Sequence, residues 1–158
     1  MIHNDVLRSV RYLLDLHETQ VLNIIKLAKP DTTADTDAIN AYLKKEDEEG
    51  YLMCPINVFA AFLDGLVYHR RGQDESRPHQ ATVPPISNNL VLKKLRVAFE
   101  LKDSDMLEIM QSVGITVTKT ELSALFRAQG HNNYRNCGDQ WLRNFLKGLT
   151  LRVRGKAD

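Results

Sequence analysis

The chain has 158 residues, 21 of them lysine or arginine and 20 aspartate or glutamate, and 43% of its residues are hydrophobic. This is the composition of an ordinary globular chain with enough apolar residues for a core. No apolar run reaches the roughly 18 residues of a membrane span, and the N-terminus lacks the pattern of a signal peptide, so we expect a cytoplasmic protein with no membrane partner.

The first predicted helix is amphipathic, and its pattern returns later in the chain. Asn4 is a good N-cap, and apolar residues at intervals of three and four predict a helix to about Asp15. The second copy begins at Asn88 or Asn89. The opposite face of each helix is basic, which suits phosphate binding but is also typical of a solvated helix face. These basic residues are Arg8 and Arg11 in the first copy and Lys93, Lys94 and Arg96 in the second.

Two further helices are predicted after a short break. Asp35 is expected to cap the third helix, and Thr118 and Glu121 have capping-box spacing at the same place in the second copy. Helices two and three together resemble a helix-turn-helix, whose candidate recognition helix carries Lys119 and Arg127. Helix pairs of this kind are also common in all-α domains that do not bind DNA.

The fourth helix contains the motif Phe-Leu-x-Gly-Leu, at 62–66 and again at 145–149. Glycine in a helix interior costs about 1 kcal/mol relative to alanine. Its presence in both copies therefore predicts the close approach of another helix, either within the domain or between the copies. At the end of the second copy, Arg152 and Arg154 suit the negative end of the helix and are also candidates for an anion site.

The motif belongs to a longer duplication. Residues 38–72 align with 121–155 without a gap, and nine of the 35 aligned positions are identical. The two cysteines of the chain are among them, which argues for a shared structural role rather than a disulfide framework. Residues 4–25 align in the same way with 89–110. Two copies of this length indicate two similar small domains rather than a solenoid.

We therefore predict an all-α protein of two tandem, pseudo-equivalent helical domains of about four helices each. The first repeat is expected to span residues 1–72 and the second residues 88–158. Residues 73–87 contain three prolines within eight residues, which favours an extended, semi-rigid linker.

Charge is distributed unevenly between the halves. Residues 1–77 hold nine basic and thirteen acidic residues, whereas 78–158 hold twelve and seven. Either the opposite charges help the copies to dock, or the basic second half meets an acidic partner such as nucleic acid. We predict a non-enzymatic binding or adaptor protein whose partner is a nucleic acid or another protein. The candidate nucleic-acid contacts are Arg8, Arg11, Lys93, Lys94, Arg96, Lys119, Arg127, Arg152 and Arg154.

Motifs of known chemistry are absent from the sequence. It has no Gly-rich phosphate loop, nucleophile elbow, His-Glu-x-x-His or Cys-x-x-Cys motif. The five histidines are scattered and none recurs between the copies, so we predict no metal site and no cofactor. The alternative from another class is an enzyme acting in a cleft between the two repeats. Such an enzyme would require a deep pocket with convergent polar groups.

Three features of the sequence resemble the YehS-like family of small bacterial proteins. They are the opening Asn-Asp-Val-Leu-Arg-Ser-Val-Arg-Tyr at 4–12, the repeated Phe-Leu-x-Gly-Leu motif and the duplicated length. The resemblance covers nearly the whole chain. It implies a bacterial cytosolic protein in which one domain of unknown function is present twice, and it transfers no activity and no site residue.

Overall fold

The computed structural model describes residues 3–73, 76 and 79–155. Across these residues every regular element is an α-helix, which confirms the predicted all-α class. In each repeat three shorter helices precede one helix of 16 residues. The helices are α1 (His3–Leu13), α2 (Glu18–Ala28), α3 (Thr36–Leu43), α4 (Ile56–Arg71), α5 (Asn88–Ala98), α6 (Asp103–Gln111), α7 (Lys119–Leu125) and α8 (Asp139–Arg154).

The chain divides into two compact units, each of which contains one set of four helices. One unit spans Ile2–Ile86 and the other contains Ser87–Asp158. Residues 79–86, the last part of the predicted linker, lie in the unit of the first four helices. We refer below to α1–α4 as repeat one and to α5–α8 as repeat two.

The long helix of each repeat packs closely on the second helix of the same repeat. A Cβ atom added to Gly65 in α4 would lie 1.8 Å from the carbonyl oxygen of Ile24 in α2. In repeat two, a Cβ at Gly148 would lie 2.4 Å from the carbonyl oxygen of Ile109 in α6. Both glycines are therefore required for a close helix contact, and that contact lies within the repeat.

Each repeat has its own apolar core, built from the helix faces that the sequence pattern predicts. The long helices supply the largest side chains, and the second helices supply aliphatic residues opposite them. Residues no more than 2% exposed include Phe59, Phe62, Leu63, Leu66, Val21 and Ile25 in repeat one, and Leu142, Phe145, Leu149, Met106 and Met110 in repeat two.

The third helices begin at the predicted caps. The Asp35 side chain accepts a hydrogen bond from the backbone amide of Ala38 at 2.8 Å. The Thr118 hydroxyl accepts one from the amide of Glu121 at 3.1 Å. Each cap satisfies an amide that has no partner within its helix.

The prediction of Asn4 as an N-cap is wrong. The first helix already includes His3, and Asn4 is fully buried inside the repeat. In repeat two the cap of α5 is Ser87, whose hydroxyl accepts a hydrogen bond from the amide of Leu90 at 3.1 Å. The asparagine side chains contact more distant segments instead, and they organise each repeat as described below.

The first helix of each repeat ends in the same turn. Asp15 and Glu100 have positive φ angles of 53° and 54°. The amide that follows each of them donates back to the carbonyl of Arg11 or Arg96, at 3.0 Å in both repeats. A left-handed residue followed by this longer hydrogen bond is a Schellman cap, which glycine usually forms. Both repeats build it with an acidic residue.

The two 16-residue helices are the longest among the residues that the structure describes. None of the described helices combines the length and the apolar character needed to cross a membrane.

Candidate functional site

One buried asparagine joins three segments of repeat one. The Asn4 side-chain amide donates to the carbonyl of Tyr42, at the end of α3, at 3.0 Å. It also donates to the carbonyl of Leu52 at 2.8 Å, and its oxygen accepts the backbone amide of Cys54 at 2.9 Å. One backbone group at the end of α3 and two in the connector that leads to α4 are satisfied by this side chain.

Repeat two contains the same arrangement. Asn89 donates to the carbonyls of Leu125 and Arg135, both at 2.9 Å, and accepts the amide of Cys137 at 2.9 Å. We call Asn4 and Asn89, with the three backbone groups that each one binds, the asparagine clamps. They explain why asparagine recurs at the start of each repeat. The recurrence is structural, because both polar ends of the side chain are occupied by backbone.

The two cysteines lie beside the clamps and are free thiols. Cys54 is 3% exposed and Cys137 is 5% exposed. Burial raises the pKa of Cys54 to about 12 and that of Cys137 to about 11. Both thiols therefore keep their protons at neutral pH and are poor nucleophiles.

Two of the predicted phosphate contacts are occupied inside their own repeats. Arg11 donates from Nε to the carbonyl of Leu16 at 3.0 Å, and Arg96 does the same to Leu101 at 3.1 Å. Arg96 also pairs with Asp103 at 2.6 Å. These arginines hold the turn between the first two helices of each repeat, which accounts for their recurrence without a ligand.

The next basic pair differs between the repeats. In repeat one, Arg8 donates to the carbonyl of Lys44 at 2.9 Å and pairs with Asp5. Its equivalent in repeat two, Lys93, is exposed and has no hydrogen bond or ion pair with any described residue. A lysine without such a partner keeps its charge available to a ligand.

Basic residues gather at the end of α7. Arg96 lies over the ring of Phe126, with its guanidinium carbon 4.7 Å from the ring centroid. Arg127 follows in the chain and is exposed. Lys93, one turn before Arg96 on α5, occupies the position from which Arg8 reaches the end of α3 in repeat one. From this equivalence with Arg8 and Lys44, we expect Lys93 and Arg127 to border the same surface.

A further arginine, absent from the sequence prediction, adjoins this surface. Arg135 is exposed, its amide donates to the carbonyl of Ala124 at 3.0 Å, and its carbonyl accepts from Asn89. The clamp thus holds it between the start of α5 and the end of α7. Its equivalent in repeat one is Leu52, so a search for basic residues that recur in both copies misses it. We call Lys93, Arg127 and Arg135 the basic patch.

The remaining predicted contacts lie apart from the basic patch or are unavailable. Lys119 is exposed at the start of α7, six residues before its end, which corresponds to about 9 Å along the helix axis. Lys94 is only 6% exposed, so it is not part of the basic face that the sequence predicted. Arg154 is exposed at the end of α8, and it already interacts with another group.

Arg152 is held by carboxylates of α6. It pairs with Asp105 at 2.5 Å and with Glu108 at 3.2 Å. The backbone amide of Lys102, and then the Arg152 guanidinium, hold the pKa of Asp105 below its usual range. The positive charge of Arg152 is largely neutralised at this surface, which makes it a weak phosphate contact.

Repeat one presents an apolar surface at the place where repeat two presents Arg135. Leu52, Met53 and Ile56 are 55%, 64% and 41% exposed. Their equivalents in repeat two are Arg135, Asn136 and Asp139. We call Leu52, Met53 and Ile56 the apolar patch.

The described part of the chain contains no group of three or more histidine, cysteine, aspartate or glutamate side chains placed to hold a metal ion. The candidate sites are two surfaces, the basic patch of repeat two and the apolar patch of repeat one.

Comparison with known proteins agrees with this division into repeats. The model of a family described as a protein of unknown function, DUF1456, matches residues 3–72 and again residues 88–155. The chain belongs to this family. It is 47% identical over 156 residues to the uncharacterized protein YehS of Escherichia coli strain K12, covering 99% of both chains. The family resemblance expected from the repeated motifs is confirmed. No solved structure matches the chain.

Proposed function

We propose that this protein is a non-enzymatic binding protein and that the basic patch of repeat two binds nucleic acid through its phosphates. The observation that carries the proposal is that the three cations of the patch are exposed and have no ion pair with a described residue. Lys93, Arg127 and Arg135 are exposed, and no described residue neutralises them by an ion pair. Exposed, unpaired cations on one surface release counterions when phosphates replace them, and this release drives binding.

The contrast with repeat one supports the proposal. There, Arg8 is bound by Asp5 and by a backbone carbonyl, and Lys44 donates to the carbonyl of Glu49 at 2.9 Å. The connector that follows α3 is also acidic, with four carboxylates at 46–49. A phosphate backbone would be repelled at this position, so nucleic-acid binding is assigned to repeat two alone.

The proposal relies on the basic patch rather than on a recognition helix. The segment between α6 and α7, residues 112–118, is longer than the three or four residues usual in a helix-turn-helix. The helix α7 has only seven residues. We therefore expect binding with little sequence preference, dominated by contacts to the backbone of the nucleic acid.

The test is a salt series with purified, nuclease-treated protein and short duplex DNA, single-stranded DNA and RNA. Replacing Lys93, Arg127 and Arg135 by alanine should weaken binding and should lower the salt slope by about two to three counterions. The matched control replaces three lysines of repeat one, Lys26, Lys29 and Lys45. This control should change the slope much less. The proposal is abandoned if neither DNA nor RNA is retarded at low salt, or if the two triple variants behave alike.

A second candidate function rests on the apolar patch. Three exposed apolar side chains lie within five residues of repeat one, whereas the equivalent residues of repeat two are polar or charged. An exposed apolar patch of this kind is typical of a protein interface. We propose that repeat one binds a protein partner through Leu52, Met53 and Ile56.

Co-purification from cells tests this second candidate. Met53→Asp should release a partner that resists nuclease treatment. Asn136→Asp, at the equivalent position of repeat two, is the control and should retain the partner. Equal retention by both variants would rule out the apolar patch as the binding surface.

A further inference from the structure

A buried carboxylate in the middle of α4 binds the segment that follows this helix. Asp64 is 6% exposed. One of its oxygens accepts the backbone amide of Thr82 at 2.8 Å. The other accepts the Thr82 hydroxyl at 2.7 Å and lies 3.1 Å from Nε2 of His79. The His79 ring also packs edge-on against Tyr68, with ring centroids 5.8 Å apart.

Among the described residues, repeat two has no counterpart of this arrangement. Asp64 is the variable residue of the Phe-Leu-x-Gly-Leu motif, and its equivalent is Lys147, which is exposed. Burial of a carboxylate is costly unless hydrogen bonds compensate it. The neighbouring motif residues serve the core in both repeats. The acid at position 64 is explained instead by the segment that covers it.

Thr82 is the buried residue of the covering segment. Thr82 is 9% exposed, whereas Val83 is 73% exposed and Ala81 and Gln80 are also exposed. Contacts from both Thr82 and His79 converge on one carboxylate. Loss of that carboxylate removes all three of these contacts at once.

We infer that residues 79–82 form a strap that Asp64 fastens onto α4, and that the strap opens and closes as one conformational unit. When the strap is closed, it covers the surface formed by Asp64 and Tyr68. When it opens, the Asp64 carboxylate becomes exposed there, at the position where repeat two presents the exposed Lys147. The strap is thus a conformational device of repeat one, and it does not depend on what either repeat binds.

Hydrogen exchange of the full chain tests this inference. In Asp64→Ala, the Thr82 amide loses its acceptor, and its exchange should accelerate about tenfold or more. Amides in the interior of α4, such as those of Leu66 and Val67, should keep their wild-type protection because alanine preserves the helix.

Two further variants separate the strap from a general loss of stability. Lys147→Ala, at the equivalent position of repeat two, should leave exchange in the strap unchanged. Thr82→Val removes the hydroxyl but keeps the amide donor, and should give an intermediate acceleration. If exchange of Thr82 in Asp64→Ala stays within about twofold of wild type, Asp64 does not fasten the strap. If the α4 amides accelerate as much as Thr82, Asp64 supports the core and the inference is wrong.

Discussion

The two repeats share their interior and differ at their surface. The asparagine clamps use equivalent donors and acceptors, at distances between 2.8 and 3.0 Å in both repeats. The arginines of the first helices bind equivalent carbonyls, and glycine permits the same helix contact. Outside this interior, an acidic connector and an apolar patch in repeat one replace a neutral connector and a basic patch in repeat two.

This difference separates residues that form the domain from residues that distinguish its copies. Positions that recur between the repeats have structural partners, as the clamps and the buried thiols show. Positions that differ between the repeats carry the exposed charges, the exposed apolar side chains and the strap. Functional hypotheses for this family should therefore begin with the differences between the repeats, and the predictions below test both sides of the division.

The largest expected effect comes from the glycines of the long helices. Gly65→Ala places a Cβ 1.8 Å from a backbone oxygen of α2, and neither backbone can yield without separating the helices. We expect a loss of about 3 kcal/mol or more in the free energy of unfolding. Gly148→Ala, with its Cβ at 2.4 Å, should cost less. Gly130→Ala has no neighbour within 4 Å and is the control in urea denaturation. Equal stability of all three variants would contradict the close packing.

The asparagine clamps should give the next largest loss in the free energy of unfolding. Asn4→Ala removes the asparagine partner from the carbonyls of Tyr42 and Leu52 and from the buried amide of Cys54, so we expect a loss of about 2 to 3 kcal/mol. Asn89 is less buried than Asn4, and water can reach part of its clamp. Asn89→Ala should therefore cost less than Asn4→Ala in the same denaturation experiment. A larger effect at Asn89 would show that burial does not set the energy of the clamps.

Because the two thiols are buried, we expect the protein to lose stability at alkaline pH. Burial raises the pKa of Cys54 from 9.0 to about 12 and that of Cys137 from 9.0 to about 11. Above pH 9 the unfolded chain ionises a thiol that the folded chain keeps protonated, so each thiol lowers stability by about 1.4 kcal/mol per pH unit. Below pH 9 their contribution is constant.

The two repeats should differ in the width of this pH window. The loss from Cys137 should level off near pH 11 and that from Cys54 near pH 12. Unfolding free energies of Cys54→Ala, Cys137→Ala and the double variant, measured from pH 8 upward, isolate each thiol from the other titrating groups. The same slope in the wild type and the double variant would exclude the thiols as its cause.

The smallest effect concerns the tyrosine that follows the acidic connector. The Tyr51 hydroxyl is buried and has no hydrogen-bond partner among the described residues. Removing an unsatisfied buried hydroxyl relieves its desolvation penalty, so Tyr51→Phe should be neutral or should stabilise by up to about 1 kcal/mol. A shift of the melting temperature measures this. Tyr134→Phe is the comparison in repeat two, and a clear destabilisation by Tyr51→Phe would reveal a hydrogen bond.

Much of the fold could be predicted from the sequence because each structural pattern occurs in both copies of the duplication. The recurring apolar spacing predicts the helices, and the paired glycines predict a close helix contact. The caps Asp35 and Thr118 follow from local chemistry alone. Asn4 could not be interpreted in the same way, since its partners are 38 to 50 residues away and a local pattern makes it a cap.

The candidate surfaces were predicted less completely than the fold. Recurrence of positive charge selected Arg11 and Arg96, which are the residues that recur for a structural reason. It missed Arg135, whose equivalent is Leu52, and it included Lys94, which is buried. A sequence shows which residues are charged. It does not show whether a carbonyl or a carboxylate already binds the charged group. It also could not indicate that Asp64 binds a segment 18 residues later.

The asparagine clamps have a consequence for the order in which the chain folds. Asn4 is near the start of repeat one, but its partners Leu52 and Cys54 are 48 and 50 residues further along. During synthesis, Asn4 cannot fix the first helix until the connector that precedes α4 has left the ribosome. Contacts with such long sequence separation slow folding, because the intervening loop must close before they form. The clamp of each repeat can therefore form only after the connector that precedes its fourth helix has been made.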